Sequence, residues 1–252
     1  MAIVNVKELL EAGVHFGTAA SLWHPKMKPF IFGKRNSIHI IDIKQTVRGL
    51  IQTYYYAQKL GKGNKTILFV GTKRQAKDVV RDAARAVGMP YVSERWLGGT
   101  LTNFEIIRAT IRRLDDIEKK MARPDYPRES KKVQSRDGRE RRRILRNLEG
   151  VRTMMKMPDA MFVIDPKKEF SAVREAKRLN IPIIGLVDTD TDPDMVNLPI
   201  PGNDDGIRAI QAVVKVLIDG YQKGRSEQHA KAEAAPAPVV PDKPAPVIFK
   251  PA

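Results

Sequence analysis

The residues best placed to do chemistry are Thr72-Lys73-Arg74. They follow a short apolar run, Ile67 to Val70, and Gly71, and they open a helical pattern from Gln75 to Val87. A strand that ends in glycine and turns directly into a helix presents backbone N–H groups and positive charge to an anion at the C-terminal edge of a parallel sheet. The motif is not a nucleotide loop, because a Walker-type loop needs a second glycine followed by Lys and Ser/Thr. Gly61-Lys62-Gly63-Asn64-Lys65-Thr66 has the right residue types but precedes a strand instead of following one. Two readings of Gly71 stay open: a tight strand-to-helix turn, or an RNA-phosphate contact made beside Lys73 and Arg74.

Two further constellations stand out. In Arg95-Trp96-Leu97-Gly98-Gly99-Thr100-Leu101-Thr102-Asn103 the glycines permit close backbone approach or positive φ, and Thr102 or Asn103 can cap the helix that follows. Trp96 reads as core within a rigid joint; the sharper alternative sets Arg95 against phosphate. Carboxylates gather in Asp188-Thr189-Asp190-Thr191-Asp192-Pro193-Asp194 and in Asn203-Asp204-Asp205. Asp204 and Asp205 can cap the last helix. Alternatively, Asp188, Asp204 and Asp205 converge on a cation: Mg²⁺ for all-oxygen ligands, Zn²⁺ if His15 or His24 joins them. No cofactor is required by any complete motif. The four histidines lack metalloenzyme spacing, no G-x-S-x-G elbow occurs, and there are no cysteines to form disulfides, thiolate metal sites or a thiol nucleophile. A chain without cysteine suits a reducing cytoplasm.

The charge balance indicates the partner. Across 252 residues, Lys+Arg number 45 against 29 Asp+Glu, a net charge of +16. Such an excess points to a polyanion rather than a small anionic metabolite, and the loop edge around Lys73 is expected to face it. No apolar run approaches the roughly 20 residues of a membrane span, and Met1 to Phe16 shows no leader pattern. No membrane partner and no small-molecule substrate are expected.

Positioning these residues requires an α/β body. Asn5 can cap a helix from Val6 to Ala12. Phe30-Ile31-Phe32, a turn at Gly33-Lys34-Arg35-Asn36, and Ile38 to Ile41 read as a hairpin, and Asp42 starts a helix to about Leu60. Apolar strands at Ile67–Val70, Pro90–Val92, Met161–Ile164 and Ile183–Val187 alternate with helices at Gln75–Val87, Lys168–Leu179 and Gly206–Tyr221. That alternation predicts a Rossmann-like parallel sheet flanked by helices. One region interrupts it. Phe104, Ile107, Ile111, Leu114 and Met121, then Ile144, Leu148, Val151 and Met155, form two helical stripes around Pro124 and Pro127. They predict an inserted antiparallel helical hairpin, a coiled coil. Glu105 to Met157 holds 17 Lys/Arg against 9 Asp/Glu, half of the net charge. The expected organisation is a body of residues 1–103 and 158–224, a basic hairpin of 104–157, and a disordered Ala/Pro-rich tail of 225–252. The RNA-binding candidates are Lys26, Lys28, Lys34, Arg35, Lys73, Arg74 and Arg95 on the body and Arg112, Arg113, Arg139, Arg141 and Arg142 on the hairpin.

The sequence also resembles a known family, that of bacterial small-subunit ribosomal protein two. The resemblance covers nearly the whole chain before the tail. It is carried by A-G-V-H-F-G at 12–17, H-P-K-M-K-P-F-I-F-G-K-R-N at 24–36, I-H-I-I-D at 38–42, L-F-V-G-T-K-R at 68–74 and R-W-L-G-G-T-L-T-N at 95–103, then by P-D-A-M-F-V-I-D-P at 158–166, V-D-T-D-T-D-P-D at 187–194 and I-P-G-N-D-D-G-I-R-A-I at 200–210. It implies a non-enzymatic, structural constituent of the small ribosomal subunit. It further implies binding to small-subunit ribosomal RNA on the solvent side of the head–body junction, with neighbouring ribosomal proteins that include ribosomal protein one, which it helps to dock. The rival readings are an RNA-processing enzyme on a Rossmann-like fold and a scaffold that binds only protein.

Overall fold

The structure, a computed structural model, describes residues 4–233. Its elements, in chain order, are α1 (Val6–Glu11), β1 (Phe16–Ala19), β2 (Ile31–Arg35), β3 (Ile38–Ile41), α2 (Ile43–Lys62), β4 (Ile67–Val70), α3 (Lys77–Val87), β5 (Tyr91–Val92), α4 (Phe104–Met121), α5 (Lys131–Leu148), β6 (Ala160–Ile164), α6 (Phe170–Arg178), β7 (Ile183–Val187), β8 (Leu198–Pro201) and α7 (Ile207–Glu233). Five parallel strands form the body in the order β5-β4-β6-β7-β8. The chain leaves β4 for β5 on one side and then crosses to β6 on the other. The C-terminal ends of β4 and β6 therefore flank the point where such a sheet opens a crevice.

Alternate residues of each strand feed two cores. Ile67, Phe69, Phe162, Ile164, Ile184 and Leu186 face α2, α3 and α7. Leu68, Val70, Met161, Val163, Ile183 and Val187 face α6 and the roots of α4 and α5. Both faces are covered, so the strands read as unbroken apolar runs. α2 and α7 pack so closely that a side chain on Gly61 would strike the carbonyl of Tyr221, and one on Gly224 the carbonyl of Gln58. Only glycine allows two helix backbones this near.

Three local expectations are corrected. The hairpin turn is Asn36-Ser37, not Gly33 to Asn36: both residues have positive φ, 48° and 62°, the backbone of a tight two-residue turn, while Gly33 and Lys34 lie in β2. Two strands absent from the sequence reading are present: β1, which pairs antiparallel with β3, and β8, at the sheet edge. Third, α7 does not end near Tyr221 but runs to Glu233, so residues 225–233 are helix and not the start of a disordered tail. Gln58 donates to Glu227 at 2.8 Å and Lys62 pairs with it at 2.9 Å, which ties this extension to α2. The rest of the expected tail, 234–252, lies outside the described residues.

The sheet β1-β3-β2 sits across the C-terminal edge of the parallel sheet. Thr18 N–H donates to Asp188 Oδ1 at 3.1 Å and to Thr189 Oγ1 at 3.0 Å, His24 N–H to the Thr189 carbonyl at 2.8 Å, and Asn203 N–H to the Val14 carbonyl at 3.0 Å. The edge that carries the loop chemistry is thus covered by the chain's own N-terminal segment.

Candidate nucleic-acid interface

Lys73 follows β4 and Gly71, as the strand–turn–helix pattern requires. Its ammonium does not face outward. It lies 2.7 Å from Asp204 Oδ1, 2.6 Å from Asp205 Oδ1 and 3.7 Å from Asp165 Oδ2. Burial alone would push the ammonium down, but hydrogen bonds to Asp204 and Asp205, and their charge, outweigh it and hold the lysine well above its ordinary value. An RNA phosphate would have to displace these carboxylates, so Lys73 is corrected from phosphate contact to internal counter-ion. The crevice between β4 and β6 is closed as well. Glu169, almost fully buried, accepts from Thr72 N–H at 2.9 Å and from the Thr72 hydroxyl. Burial pushes the Glu169 carboxyl up, against these hydrogen bonds. An acid occupies the place where this fold class receives an anionic cofactor.

The carboxylates assigned to a cation lie near one another, Asp188 beside Asp204, but each is met by the protein's own donors. Asp204 and Asp205 grip Lys73. Asp188 Oδ1 accepts from Thr18 N–H and from the backbone of Thr189. Burial lifts the Asp188 carboxyl to about 6, and burial together with Asp188 and Asp165 lifts that of Asp204 to about 7 against the pull of Lys73. Among the described residues no group of three or more histidines or acids is placed to hold a metal ion. The histidines stand apart: His24 Nδ1 accepts from Lys26 N–H at 3.3 Å, and His15 Nδ1 has no partner. Nor do these acids cap the last helix: the Asp204 and Asp205 carboxylates go to Lys73, and the side chain of Asn203 closes the turn ahead of α7 by accepting the backbone N–H groups of Asp205 and Gly206 at 2.8 and 3.0 Å.

The same edge pairs two more lysines internally. Lys26 bridges Asp192 and Asp194 at 2.9 and 2.6 Å, and Lys167 meets Asp190 at 2.7 Å. Lys28, Lys34, Arg35 and Arg74 are exposed there and on the β2–β3 hairpin, with no ion pair among the described residues.

Trp96 is core, as expected, and the joint is built on a residue the sequence reading passes over. Glu175 of α6 accepts from Trp96 Nε1 at 3.0 Å and from the backbone N–H groups of Gly99, Leu101 and Thr102 at 2.8, 3.0 and 3.1 Å. Burial works to raise this carboxyl, but the donors prevail and hold it below its ordinary value. Neither Thr102 nor Asn103 caps α4: Asn103 makes no side-chain cap bond, and the Thr102 hydroxyl goes to Glu175. Arg95 is exposed.

Beyond the joint, α4 and α5 run side by side in opposite directions, with Ile107, Ile111, Leu114, Ile144 and Leu148 in the body's core. Much of their charge is paired across the seam: Arg113 with Glu140 at 2.5 Å, Lys120 with Asp137 at 3.0 Å, Arg141 with Glu118 at 3.1 Å, and Arg152 with Asp115 and Glu118. Arg113 and Arg141 therefore serve the seam. Arg112, Arg139 and Arg142 are exposed and make no ion pair among the described residues. So is Arg146, which the sequence reading passes over although it continues their spacing by one turn.

Comparison with known proteins decides the family. The family model described as "Ribosomal protein S2" matches residues 9–224. The chain belongs to the ribosomal protein S2 family. Relatives carrying the description "Small ribosomal subunit protein uS2" include one from Rhodopirellula baltica, 52% identical over 236 residues, which cover 94% of this chain and 90% of the relative. Another, from Thermus thermophilus, is 50% identical over 216 residues, with 86% and 84% covered. A third, from Coprothermobacter proteolyticus, is 45% identical over 232 residues, with 89% and 84% covered. The family resemblance read from the sequence is thereby borne out. Ribosomal protein S2 is a structural, non-enzymatic component of the small subunit in translation. Among the described residues no helix is long and apolar enough to cross a membrane.

Proposed function

We propose that this chain is held in the small ribosomal subunit by direct contact with small-subunit ribosomal RNA at the head–body junction, in the cytoplasm, and that from there it helps to dock ribosomal protein one. The observation that carries the RNA contact is the net charge of +16 on a chain whose sheet-edge lysines Lys26, Lys73 and Lys167 are neutralised internally. The surplus lies on exposed lysines and arginines elsewhere, where a polyanion can reach it. Two measurements test the reading. In a sucrose gradient of cell lysate the protein should sediment with the small subunit at low salt. Purified protein should bind small-subunit ribosomal RNA with an affinity that falls steeply as salt rises, by a log–log slope of about −0.7 to −0.9 for each phosphate neutralised. Sedimentation only at the top of the gradient, or an affinity indifferent to salt, would count against it. Docking of ribosomal protein one is checked by comparing its retention on subunits that contain or lack this chain.

A further inference from the structure

We infer that the outward face of α5 is the surface that lies on the RNA backbone. This deepens, and rests on, the RNA-binding reading above. Lys132, Arg136, Arg139, Arg142, Arg143 and Arg146 are all exposed. Their spacings of three and four residues put them on one side of a helix, over roughly 21 Å at 1.5 Å per residue. The opposite side carries the buried Asp137, Ile144 and Leu148.

The charges of α5 are sorted by face. Its acids, Asp137 and Glu140, point at α4, where Lys120 and Arg113 meet them at 3.0 and 2.5 Å. The outward face has cations and no acid; its one link to a carboxylate is a 3.6 Å approach of Arg136 to Asp137. The partner helix is not sorted in this way, since exposed Glu105 and Asp116 share its surface with Arg112 and Lys119. Six cations without carboxylates repel one another unless an anion lies along them. A row with one or two cations in each 5.4 Å turn fits a linear polyanion better than a point ligand. The face also selects what part of the RNA it meets. α5 contains no aromatic residue on which a base could stack, and arginine is suited to forked contact with phosphate. The occupant is therefore the sugar–phosphate backbone, held without reading bases. The row ends at the root of the hairpin, where Arg146 lines a polar cavity of about 290 Å³ beside Glu94 and Glu149, and where Arg81 and Arg85 are already paired with Asp78, Asp82 and Glu149.

The test compares two charge-matched triple variants of the full chain on purified small-subunit ribosomal RNA. Arg139, Arg142 and Arg146→Gln removes three cations from the face; Lys7, Lys59 and Lys215→Gln removes three exposed cations assigned to no RNA contact. The first should lower the steepness of the salt dependence by about two, at 0.7–0.9 for each phosphate no longer neutralised, and the second by clearly less. If the parent binds and both variants change alike, or the first keeps the parent's slope, the α5 face is overturned while RNA binding stands. If the parent shows no salt-dependent binding, the RNA reading falls and takes this face with it. A second measurement does not depend on the folding of the triple variant. The chain has no cysteine, so Ser135→Cys on the outward face and Asp116→Cys on α4 can each carry a single hydroxyl-radical source. Localised RNA cleavage from position 135 and little from 116 supports the face; equal cleavage, or none from 135, overturns it.

Discussion

The C-terminal edge of the sheet and the outward face of α5 hold similar amounts of positive charge in the sequence and opposite amounts in space. At the edge three lysines meet carboxylates from distant loops: Lys73 meets Asp204 and Asp205, Lys26 meets Asp192 and Asp194, and Lys167 meets Asp190. On α5 the acids turn inward to α4 and leave the arginines outside. A basic residue thus becomes a binding group only if its own chain leaves it without a partner. A count of charges cannot tell the two situations apart, since pairing is set by tertiary contact.

The sharpest way to break the comparison is to unseat the joint between the two regions. Glu175→Ala leaves the indole N–H of Trp96 and three backbone N–H groups without their acceptor. At about 1–3 kcal/mol for each stranded donor, partly relieved by water, the loss should reach about 3 kcal/mol or more. That is a fall of roughly 6–12 °C in Tm for a chain of this size. Glu175→Gln, which keeps one acceptor oxygen, should cost less. Urea denaturation separates the two, and an alanine variant as stable as the parent would show that the joint is held by Trp96 packing alone.

The next effect concerns Lys73. Lys73→Met leaves Asp165, Asp204 and Asp205 without their counter-ion. Removing one partner of a buried pair costs about 3–5 kcal/mol, but Asp205 is open to water and Asp204 can take up a proton, so about 2–3 kcal/mol is expected at pH 8. RNA binding should keep the parent's salt slope. A variant of full stability with a shallower slope would return Lys73 to the RNA surface. The sign of the pH dependence follows from the same cluster. Asp188 and Asp204 titrate near 6 and 7 in the folded chain, above the ordinary value near 3.9. The folded state therefore binds more protons between pH 4 and these values. Their contribution to stability is fully present below pH 4 and is lost as pH rises to 6–7, at up to about 1.4 kcal/mol per pH unit for each group. Asp204→Asn should flatten this slope relative to the parent in denaturation series from pH 4 to 8.

A smaller effect separates local from tertiary signals in the fold. The four strands of the parallel sheet read from sequence were legible because each is a short, mainly apolar run. β8 was not, because Pro199 and Pro201 speak against a strand; at a sheet edge, where one side needs no N–H donor, proline is tolerated. β1, Phe-Gly-Thr-Ala, has no alternation, and its place is set by Asp188 and Thr189 far along the chain. The length of α7 was hidden for a related reason. Gly220 and Gly224 look like helix stops, yet they are where α2 comes close. Ending the chain after Gly224 should therefore lower Tm by about 2–4 °C, since the bonds of Gln58 and Lys62 to Glu227 are removed. Ending it after Glu233 keeps them and should not. In the site, the clustering of arginines on α5 was legible, but not which of them the seam takes up: Arg141 pairs with Glu118, whereas Arg142 stays exposed. Glu169 and Glu175 were not legible, because a lone glutamate in a helical pattern gives no sign of the donors that the fold brings to it.

The smallest expected effect is that of divalent metal. The sequence brings Asp188, Asp204 and Asp205 to one edge, and three carboxylates there need a cation. The fold supplies one from within. The Lys73 ammonium is 2.7 and 2.6 Å from Asp204 and Asp205. Asp188 is satisfied by Thr18 and Thr189, and His15 and His24 do not join them. A divalent ion would have to enter beside a fixed positive charge and strip Asp188 of its backbone donors, both unfavourable. Calorimetric titration of the parent with Mg²⁺ and with Zn²⁺ should give no saturable heat that disappears in Asp188→Asn or Asp205→Asn, and chelator should leave Tm unchanged. Lys73→Met sharpens the result. With the ammonium gone, the cluster regains its need for a cation, and Mg²⁺ should raise the Tm of this variant while leaving the parent where it was. Equal stabilisation of both proteins would mean that metal and lysine occupy different places, and that the edge holds more charge than its own lysines neutralise.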